Sequence, residues 1–370
     1  MQSDRDLISL PRLNIKRNRW SCFAITAIAF LLAGCATAPQ VMHYYPPGTE
    51  SDIQVSWPAK PAEPKLEYAG QLLGEINFSS EEGNEGGAGR RFLRWIAGLG
   101  RSRAAVRQLI RPQSGIVDDT GRILVTDAGI PGVMVFDEQA AKLTIWRDAA
   151  SNQPFVSPVG IATTNDGKIL VADSSLGFIA VLSTDGTPVS RIGDDVLTRP
   201  TGIALDRESG RIFAADTPAD DIKVFTSDGE LISTLGKSGT AAGEFNGPTH
   251  LNFDQGRLYV TDALNARVQV LTIDGTPLSS IGDRGLYVGN LVRPKGVTTD
   301  VDGNIYIVES YFDHLLIYDT AGQFLLPIGG SGTAAGQFFL PAGAWSDDDG
   351  HIFIADMFNG RIVILRYLRS

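Results

Sequence analysis

The stretch LYVTDALNARVQVL at residues 258–271 contains two apolar, β-branched runs that are joined by a short polar segment. The polar segment begins at Asp262, and a closely similar stretch, IFIADMFNGRIVIL, returns at residues 352–365. Short apolar runs with β-branched residues are typical of strands, and the polar segments between them are typical of turns. The stretch therefore predicts two antiparallel strands and a tight loop, in a unit that the chain uses more than once.

Six copies of this unit follow one another over residues 112–370. The copies begin at prolines that are 42 to 48 residues apart, namely Pro112, Pro158, Pro200, Pro248, Pro294 and Pro341. In each copy a second apolar run ends at an acid, namely Asp127, Asp173, Asp216, Asp262, Glu309 and Asp356. Four strands in a unit of this length match one blade of a propeller. The predicted fold class is therefore all-β, a six-bladed β-propeller with four-stranded antiparallel blades.

Two almost identical segments precede the fourth and sixth copies, SGTAAGEF at 238–245 and SGTAAGQF at 331–338. Neither has the strand, GK[ST] and helix context of a phosphate-binding loop. Their glycines allow the chain to reverse between an outer strand and the next inner strand. We interpret both segments as linkers between blades.

The sixth copy lacks its fourth strand. Upstream, AGQLLGEI at 69–76 is similar to AGQFLLPI at 321–328, which is the fourth strand of the fifth copy. We therefore expect residues 65–78 to complete the sixth blade, with residues 69–76 beside 361–367. Ring closure would remove the open sheet edges that favour aggregation.

Residues 112–370 resemble the NHL-repeat family of β-propellers. Residues 258–271 and 352–365 carry the resemblance, since Asn265, Arg267, Asn359 and Arg361 occupy the family positions, whereas the other four copies lack the Asn-x-Arg pair. Ubiquitin ligases with this domain carry a RING finger upstream. The chain has two cysteines and no zinc-binding spacing, so the resemblance does not imply ligase activity.

Residues 1–34 are predicted to be a lipoprotein signal peptide. Five basic residues precede the thirteen residues from Trp20 to Leu32, which are too few for a comfortable membrane span. The following Leu32-Ala33-Gly34-Cys35 resembles a bacterial lipobox, which implies lipidation of Cys35; an ordinary secretory signal is the alternative. Ala36 after the cysteine favours, by the same resemblance, the outer membrane on its periplasmic side. We expect a lipoprotein of the bacterial envelope.

Two further segments precede the repeats. Residues 35–64 are rich in proline and predict an extended tether. Residues 79–111 are predicted to form a flexible loop and then a basic helix, since 90–111 carry seven arginines and no acid. This helix would either pack across the propeller or contact anionic headgroups.

The composition disfavours several functions. The net charge of −10 and the lack of a basic, aromatic stripe argue against nucleic-acid binding. His250 and His314 belong to one face of the predicted propeller, His351 to the other, and His43 to the tether, so no three-histidine metal site is expected. We expect no metal and no cofactor.

The acids at the strand ends recur once per blade, which indicates a repeated structural role. A carboxylate there can accept backbone N–H groups of the following turn. We therefore interpret Asp127, Asp173, Asp216, Asp262 and Asp356 as structural, together with the Asn-x-Arg pairs.

The residues that break the repeat are better candidates for function. On one predicted face they form a mixed polar and aromatic patch of His250, Lys295, Glu309, Tyr311, Asp313, His314, Met357 and Phe358. We predict that this patch binds an envelope protein or a small ligand without catalysis. The alternative is a hydrolase or lyase similar to lactonase or strictosidine-synthase propellers, although the inner strands carry mostly plain residues such as Ile161 and Ala162. A purely structural scaffold remains a third possibility.

Overall fold

A computed structural model describes residues 40–45, 55–59, 61–80 and 107–368 of the chain. The predicted signal peptide, Cys35 and most of the predicted loop and basic helix lie outside these residues. The regular structure in the described ranges consists of β-strands and three short 3-10 turns, at Glu75–Asn77, Thr217–Ala219 and Ala263–Asn265. In that part of the chain, no helix has the length and apolar character that a membrane span requires.

Four strands precede the repeats, namely β1 (Gln40–Met42), β2 (Ser56–Trp57), β3 (Leu66–Leu72) and β4 (Phe78–Ser80). Blade 1 contains β5 (Pro112–Val117), β6 (Ile123–Asp127), β7 (Gly132–Asp137) and β8 (Lys142–Trp146), and is followed by a two-stranded sheet of β9 (Asp148–Ala150) and β10 (Gln153–Pro154). Blade 2 contains β11 (Pro158–Thr163), β12 (Ile169–Asp173), β13 (Phe178–Leu182) and β14 (Pro188–Ile192). Blade 3 contains β15 (Pro200–Leu205), β16 (Ile212–Asp216), β17 (Asp221–Phe225) and β18 (Leu231–Leu235).

Blade 4 contains β19 (Pro248–Asp254), β20 (Arg257–Asp262), β21 (Arg267–Thr272) and β22 (Pro277–Ile281). Blade 5 contains β23 (Pro294–Thr299), β24 (Ile305–Glu309), β25 (His314–Tyr318) and β26 (Phe324–Gly329). Blade 6 contains β27 (Ala344–Ser346), β28 (His351–Asp356) and β29 (Arg361–Tyr367) together with β3 and β2. The predicted six-bladed propeller is confirmed.

The ring is closed by the N-terminal segment, as predicted. β3 is antiparallel to β29, and Leu72 lies opposite Ile362. The expected range of 69–76 was wrong at both ends, because the strand spans Leu66–Leu72. It stops there because the buried side chain of Asn77 takes over the local hydrogen bonding: its Oδ1 accepts the backbone N–H groups of Leu73 and Gly74 at 2.7 and 3.1 Å.

Parts of the proline-rich stretch 35–64 pack on the propeller, which differs from the extended tether expected there. β1 pairs with β4, and β2 adds a fifth strand to blade 6. Met42 is buried in the hydrophobic cluster between blades 6 and 1, and Trp57 packs against the cluster between blades 5 and 6. Apolar contacts made by isolated residues are difficult to recognise in a segment whose composition is dominated by proline.

Glycines after the inner-strand prolines allow neighbouring inner strands to approach closely. A Cβ atom at Gly160 would lie 2.2 Å from the carbonyl oxygen of Thr201, and one at Gly296 would lie 2.3 Å from the backbone nitrogen of Ala344. Real Cβ atoms do not tolerate such contacts, so the repeated x-Gly-apolar step brings the inner strands together around the channel.

The antiparallel registers define two faces of the ring. The inner-strand prolines pair with the acids that end the second strands, for example Pro200 with Asp216. This end carries the loops between second and third strands and the linkers between blades, and we call it the linker face. The opposite end carries the tight turns between first and second and between third and fourth strands, and we call it the turn face.

Candidate functional site

The acids at the ends of the second strands hold the linker face together. The buried carboxylate of Asp127 accepts backbone N–H groups from both sides, from Ile110 and Arg111 in the incoming linker and from Gly129 and Ile130 in the following turn. Asp173 and Asp216 bind their incoming linkers in the same way. Each carboxylate therefore joins a linker to a blade, and its oxygens accept hydrogen bonds from the protein backbone.

Blades 4 and 6 add the Asn-x-Arg pair to this arrangement. In blade 6, Asp356 lies 2.7 Å from the Nε atom of Arg361, whose side chain also donates to the carbonyl oxygens of Thr333, Ala334 and Gln337. In blade 4, Arg267 binds Asp262 and the carbonyl oxygens of Ala241 and Glu244. Asn265 and Asn359 donate to the carbonyl oxygens of Gly239 and Gly332. The pair thus holds the SGTAAG linkers, which explains why both occur in the same two blades.

Blade 5 has a linker of the same shape without this pair. The bridge between Arg284 and Leu291 matches those between Ser238 and Phe245 and between Ser331 and Phe338. However, Phe312 and His314 stand where blade 4 has Asn265 and Arg267. The linker tip reads Leu286-Tyr287-Val288 in place of Thr-Ala-Ala, and these side chains are 74%, 84% and 64% exposed. The sequence analysis missed this tip, although an alignment of the three linkers would have shown it.

Four residues of the candidate patch that was predicted from the sequence are buried or half-buried. Glu309 and Asp313 are buried, and their carboxylates serve the scaffold: Glu309 accepts the N–H groups of Val292 and Arg293, and Asp313 accepts that of Leu340. His314 is half-buried, and burial lowers the pKa of its imidazole. Met357 is also half-buried and accepts a hydrogen bond from the side chain of Gln113.

Most of the exposed apolar side chains in loops lie on the linker face, whereas Val301 lies in a turn on the turn face. Tyr311 and Phe358 are each 55% exposed, with ring contacts to Phe312 at 4.9 Å and to Phe339 at 5.5 Å. The other exposed apolar residues of the linker face are Ile110, Val156, Val196, Leu264, Leu286, Tyr287, Val288 and Phe339. Large apolar side chains on rigid loops are typical of surfaces that bind a partner.

His250 and Lys295 lie at the linker-face end of neighbouring inner strands. His250 takes the place that Gly202 and Gly296 have in other blades, so its ring lies between blades 4 and 5. Burial, with the charge of Lys295 as a smaller cause, lowers the pKa of His250 to about 3. The imidazole is therefore neutral at physiological pH.

The lining of the central channel has few ionisable side chains. The channel encloses about 220 Å³, and the six inner strands line it with apolar residues such as Ile161 together with polar residues such as Asn252 and Thr298. The hydroxyl group of Thr163 and the indole nitrogen of Trp345 are buried there without hydrogen-bond partners. No group of three metal-ligating side chains converges within the described ranges.

A larger crevice of about 650 Å³ opens on the turn face, beside Tyr44 and between blades 1 and 6. Two pairs of its polar side chains contact each other. The Tyr44 hydroxyl donates to Glu138 at 3.2 Å, and the Nδ1 atom of His351 lies 2.8 Å from Asp347. Because these polar groups satisfy each other, the crevice offers a ligand fewer unpaired contacts than the linker face does.

Comparisons with known proteins support the repeat and the fold. No family model matches the chain. The human NHL repeat-containing protein 3 is 26% identical over 138 residues, which are 34% of this chain and 38% of that protein. The chain thus matches less than half of the relative's length.

Solved structures show the same architecture at low sequence identity. A structural-genomics protein of unknown function from Bacteroides thetaiotaomicron has a TM-score of 0.57 and 20% identity, over 71% of this chain and 70% of its own. A streptogramin B lyase has a TM-score of 0.52 and 16% identity, over 70% of this chain and 94% of its own. At these identities the likeness concerns the fold alone. The six closed blades show a β-propeller, and the similarity to one NHL-repeat protein supports the NHL type of repeat.

Proposed function

We propose that the protein is a non-catalytic binding module whose linker face captures a protein of the bacterial envelope. The observation that carries this proposal is the concentration of exposed apolar side chains on that face. Tyr311 donates its backbone N–H to the buried carboxylate of Glu309, and Phe358 donates its own to the carbonyl oxygen of Phe339, whose N–H is bound by Asp356. Rigid aromatic anchors lose little conformational freedom on binding, and they dominate many protein interfaces.

Alanine at both Tyr311 and Phe358 tests this proposal. We expect the double variant to capture much less partner from crosslinked envelopes, since a central aromatic anchor contributes about 2 kcal/mol or more. The melting temperature should change little, because both side chains are largely exposed. Asp349→Asn in the turn 347–350 is the control on the turn face. Loss of the partner in the control and retention in the double variant would assign the function to the other face.

The second part of the proposal is a lipid anchor at Cys35, which rests on the lipobox-like sequence. Several acyl chains hold a protein firmly at a membrane, whereas a single chain binds weakly. Cys35→Ser should remain unprocessed at the inner membrane or be soluble in the periplasm. Normal outer-membrane fractionation of this variant would contradict the anchor and leave the linker-face proposal intact.

A hydrolase or lyase acting at the channel mouth is the second candidate. The observation in its favour is a histidine beside a hydroxyl group at the channel mouth, whereas the pKa of about 3 makes the His250 imidazole a weak general base. Its Nδ1 atom lies 3.2 Å from the hydroxyl of Thr249. Turnover of a lactone panel by the wild type, abolished by His250→Ala, would establish this candidate and overturn a purely non-catalytic role.

A further inference from the structure

Lys295 is a half-buried cation without a matching anion. Its side chain makes no ion pair and no hydrogen bond to another side chain within the part of the chain that the structure describes. Burial, reinforced by the charge of Arg293, lowers the pKa of its ammonium group. Removing a charge from water without pairing it is unfavourable, and proteins usually place a carboxylate beside such a group. This protein has 42 acidic residues, yet none of those in the described ranges pairs with Lys295.

Arginines surround the same mouth of the channel. Arg111, Arg199 and Arg293 each directly precede the proline that starts an inner strand, in blades 1, 3 and 5. All three are exposed, and none forms an ion pair among the described residues. They therefore recur in every second blade around the linker-face mouth. In a chain with a net charge of −10, this local surplus of positive charge is unexpected.

The second-strand acids of blades 4 and 5, Asp262 and Glu309, form no ion pair with Lys295 or Arg293. Both oxygens of Glu309 accept backbone N–H groups, from Val292, Arg293 and Tyr311. Asp262 is paired with Arg267 at 2.8 Å. His250 adds no negative charge, because its imidazole is neutral. The positive charges of Lys295 and Arg293 at the mouth are therefore available to pair with a ligand.

We propose that the linker-face mouth of the channel binds an oxyanion group, a carboxylate or a phosphate, through Lys295 and Arg293. This inference rests on the proposed function, and it specifies the chemistry that the linker face recognises. An oxyanion would restore the charge balance of Lys295 and would accept charge-assisted hydrogen bonds from both side chains. Arg199 and Arg111 would strengthen the attraction at longer range, to a degree that salt screens.

Calorimetric titration of the full chain with citrate and with tripolyphosphate at low ionic strength tests this proposal. The wild type should bind at least one of the two, and the affinity should fall as potassium chloride is added. Lys295→Met should weaken binding by roughly tenfold or more, and Arg293→Gln by a smaller factor. Lys295→Arg should restore much of the loss. A preference for citrate would identify a carboxylate ligand, and a preference for tripolyphosphate would identify a phosphate ligand.

The matched control is Lys142→Met, which removes an exposed lysine at the start of β8 on the turn face. It should bind the anions like the wild type. Equal losses in Lys142→Met and Lys295→Met, or no binding by the wild type, would overturn the proposal.

Thermal melting separates a ligand site from a structural role of Lys295. Without added anion, Lys295→Met should melt at a higher temperature than the wild type, because it removes an unpaired, half-buried charge. Citrate or tripolyphosphate should raise the melting temperature of the wild type and not that of the variant. A variant that melts lower under both conditions would show that Lys295 only stabilises the fold. The Tyr311 and Phe358 double variant should bind the anion normally, so a failure of partner capture and a failure of anion binding are distinguishable.

Discussion

Blades 4 and 5 are neighbours with the same four strands, yet they hold their incoming linkers by different means. In blade 4, Arg267 and Asn265 donate to three linker carbonyl oxygens while Asp262 balances the charge. In blade 5 the acid is Glu309, which binds backbone N–H groups only. The tip of the blade 4 linker consists of small residues, whereas the tip of the blade 5 linker exposes Leu286-Tyr287-Val288 to solvent.

The difference shows how a repeat protein gains a surface for function without losing its scaffold. Where an arginine satisfies the linker carbonyls, the tip of the linker consists of small residues, and that sequence recurs in blade 6. Where the arginine is absent, the loop and the linker carry exposed aromatic and aliphatic side chains, including Tyr311. The departures from the repeat therefore lie where apolar surface is exposed.

Deleting residues 65–78 should have the largest effect. It removes β3, and with it the contact that Arg361 of blade 6 makes to the closing strand. Arg361 donates to the side chain of Gln71 in β3 at 2.9 Å, a contact that blade 4 does not have. The deletion would open the ring and leave two sheet edges. We expect a fall in melting temperature of more than about 10 °C. An unchanged melting temperature would contradict ring closure by this segment, and Gln71→Leu should reproduce only a small part of the loss.

Replacing the two arginines compares the blades directly. Arg361 is 7% exposed and Arg267 is 16% exposed at the side chain. Breaking a buried ion pair leaves an uncompensated charge, so Arg361→Met should lower the free energy of unfolding by about 3–5 kcal/mol. Arg267→Met should cost less, about 2 kcal/mol, because water can partly replace the lost contacts. Denaturant titration measures both, and equal costs would show that the link to β3 adds nothing.

Transplanting the pair into blade 5 would test whether it is sufficient to hold a linker. The variant carries Glu309→Asp, Phe312→Asn and His314→Arg, which recreate the side chains of blade 4. Three added hydrogen bonds to the linker 284–291 should slow its amide exchange and stabilise it locally by about 1 kcal/mol. Hydrogen exchange read by mass spectrometry provides the measurement. Faster exchange in that linker would mean that its backbone differs from those of the SGTAAG linkers.

Exchanging the tip Leu286-Tyr287-Val288 for Thr-Ala-Ala gives the blade 5 linker the tip of its two relatives. The side chains are more than half exposed. The free energy of unfolding should therefore change by no more than about 0.5 kcal/mol. Partner capture should weaken if the tip belongs to the interface. A large loss of stability in a melting experiment would instead assign the tip a packing role, and the reverse exchange at 240–242 is the matched control.

The smallest expected effect concerns pH and the turn face. A hydrogen bond that the His351 imidazole donates to the Asp347 carboxylate raises the pKa of His351 above its ordinary value of 6.5, and burial only partly opposes this. The ion pair therefore contributes its full stability below the unfolded pKa, and this contribution is lost as the pH rises through the higher folded pKa. The melting difference between wild type and His351→Gln should be larger at about pH 6 than at about pH 8.5. A difference that grows with pH would contradict the pairing.

The closing strand shows how far sequence similarity can go. The likeness of residues 69–76 to 321–328 was enough to predict its partner, because a blade with three strands needs a fourth. Its end at Leu72 could not be predicted, since the buried side chain of Asn77 stops it through hydrogen bonds to Leu73 and Gly74. Such bonds depend on where a loop returns in space.

The repeat by itself determined the strands, the number of blades and the closure, because alternating apolar residues and regularly spaced prolines and acids reflect local rules that every blade obeys. Only the tertiary structure decided which side chains remain available for a ligand. Glu309 and Asp313 looked like candidates for binding, but the fold brings backbone N–H groups of distant linkers to their carboxylates and buries them. Conversely, Arg293 is unremarkable in the sequence, and Lys295 was a candidate only because it breaks the repeat. Their importance comes from the fold, in which no described carboxylate forms an ion pair with either side chain. Whether a polar side chain finds a hydrogen-bond or ion-pair partner depends on residues that are distant along the chain. The pattern of the sequence does not show which distant residues come close in space.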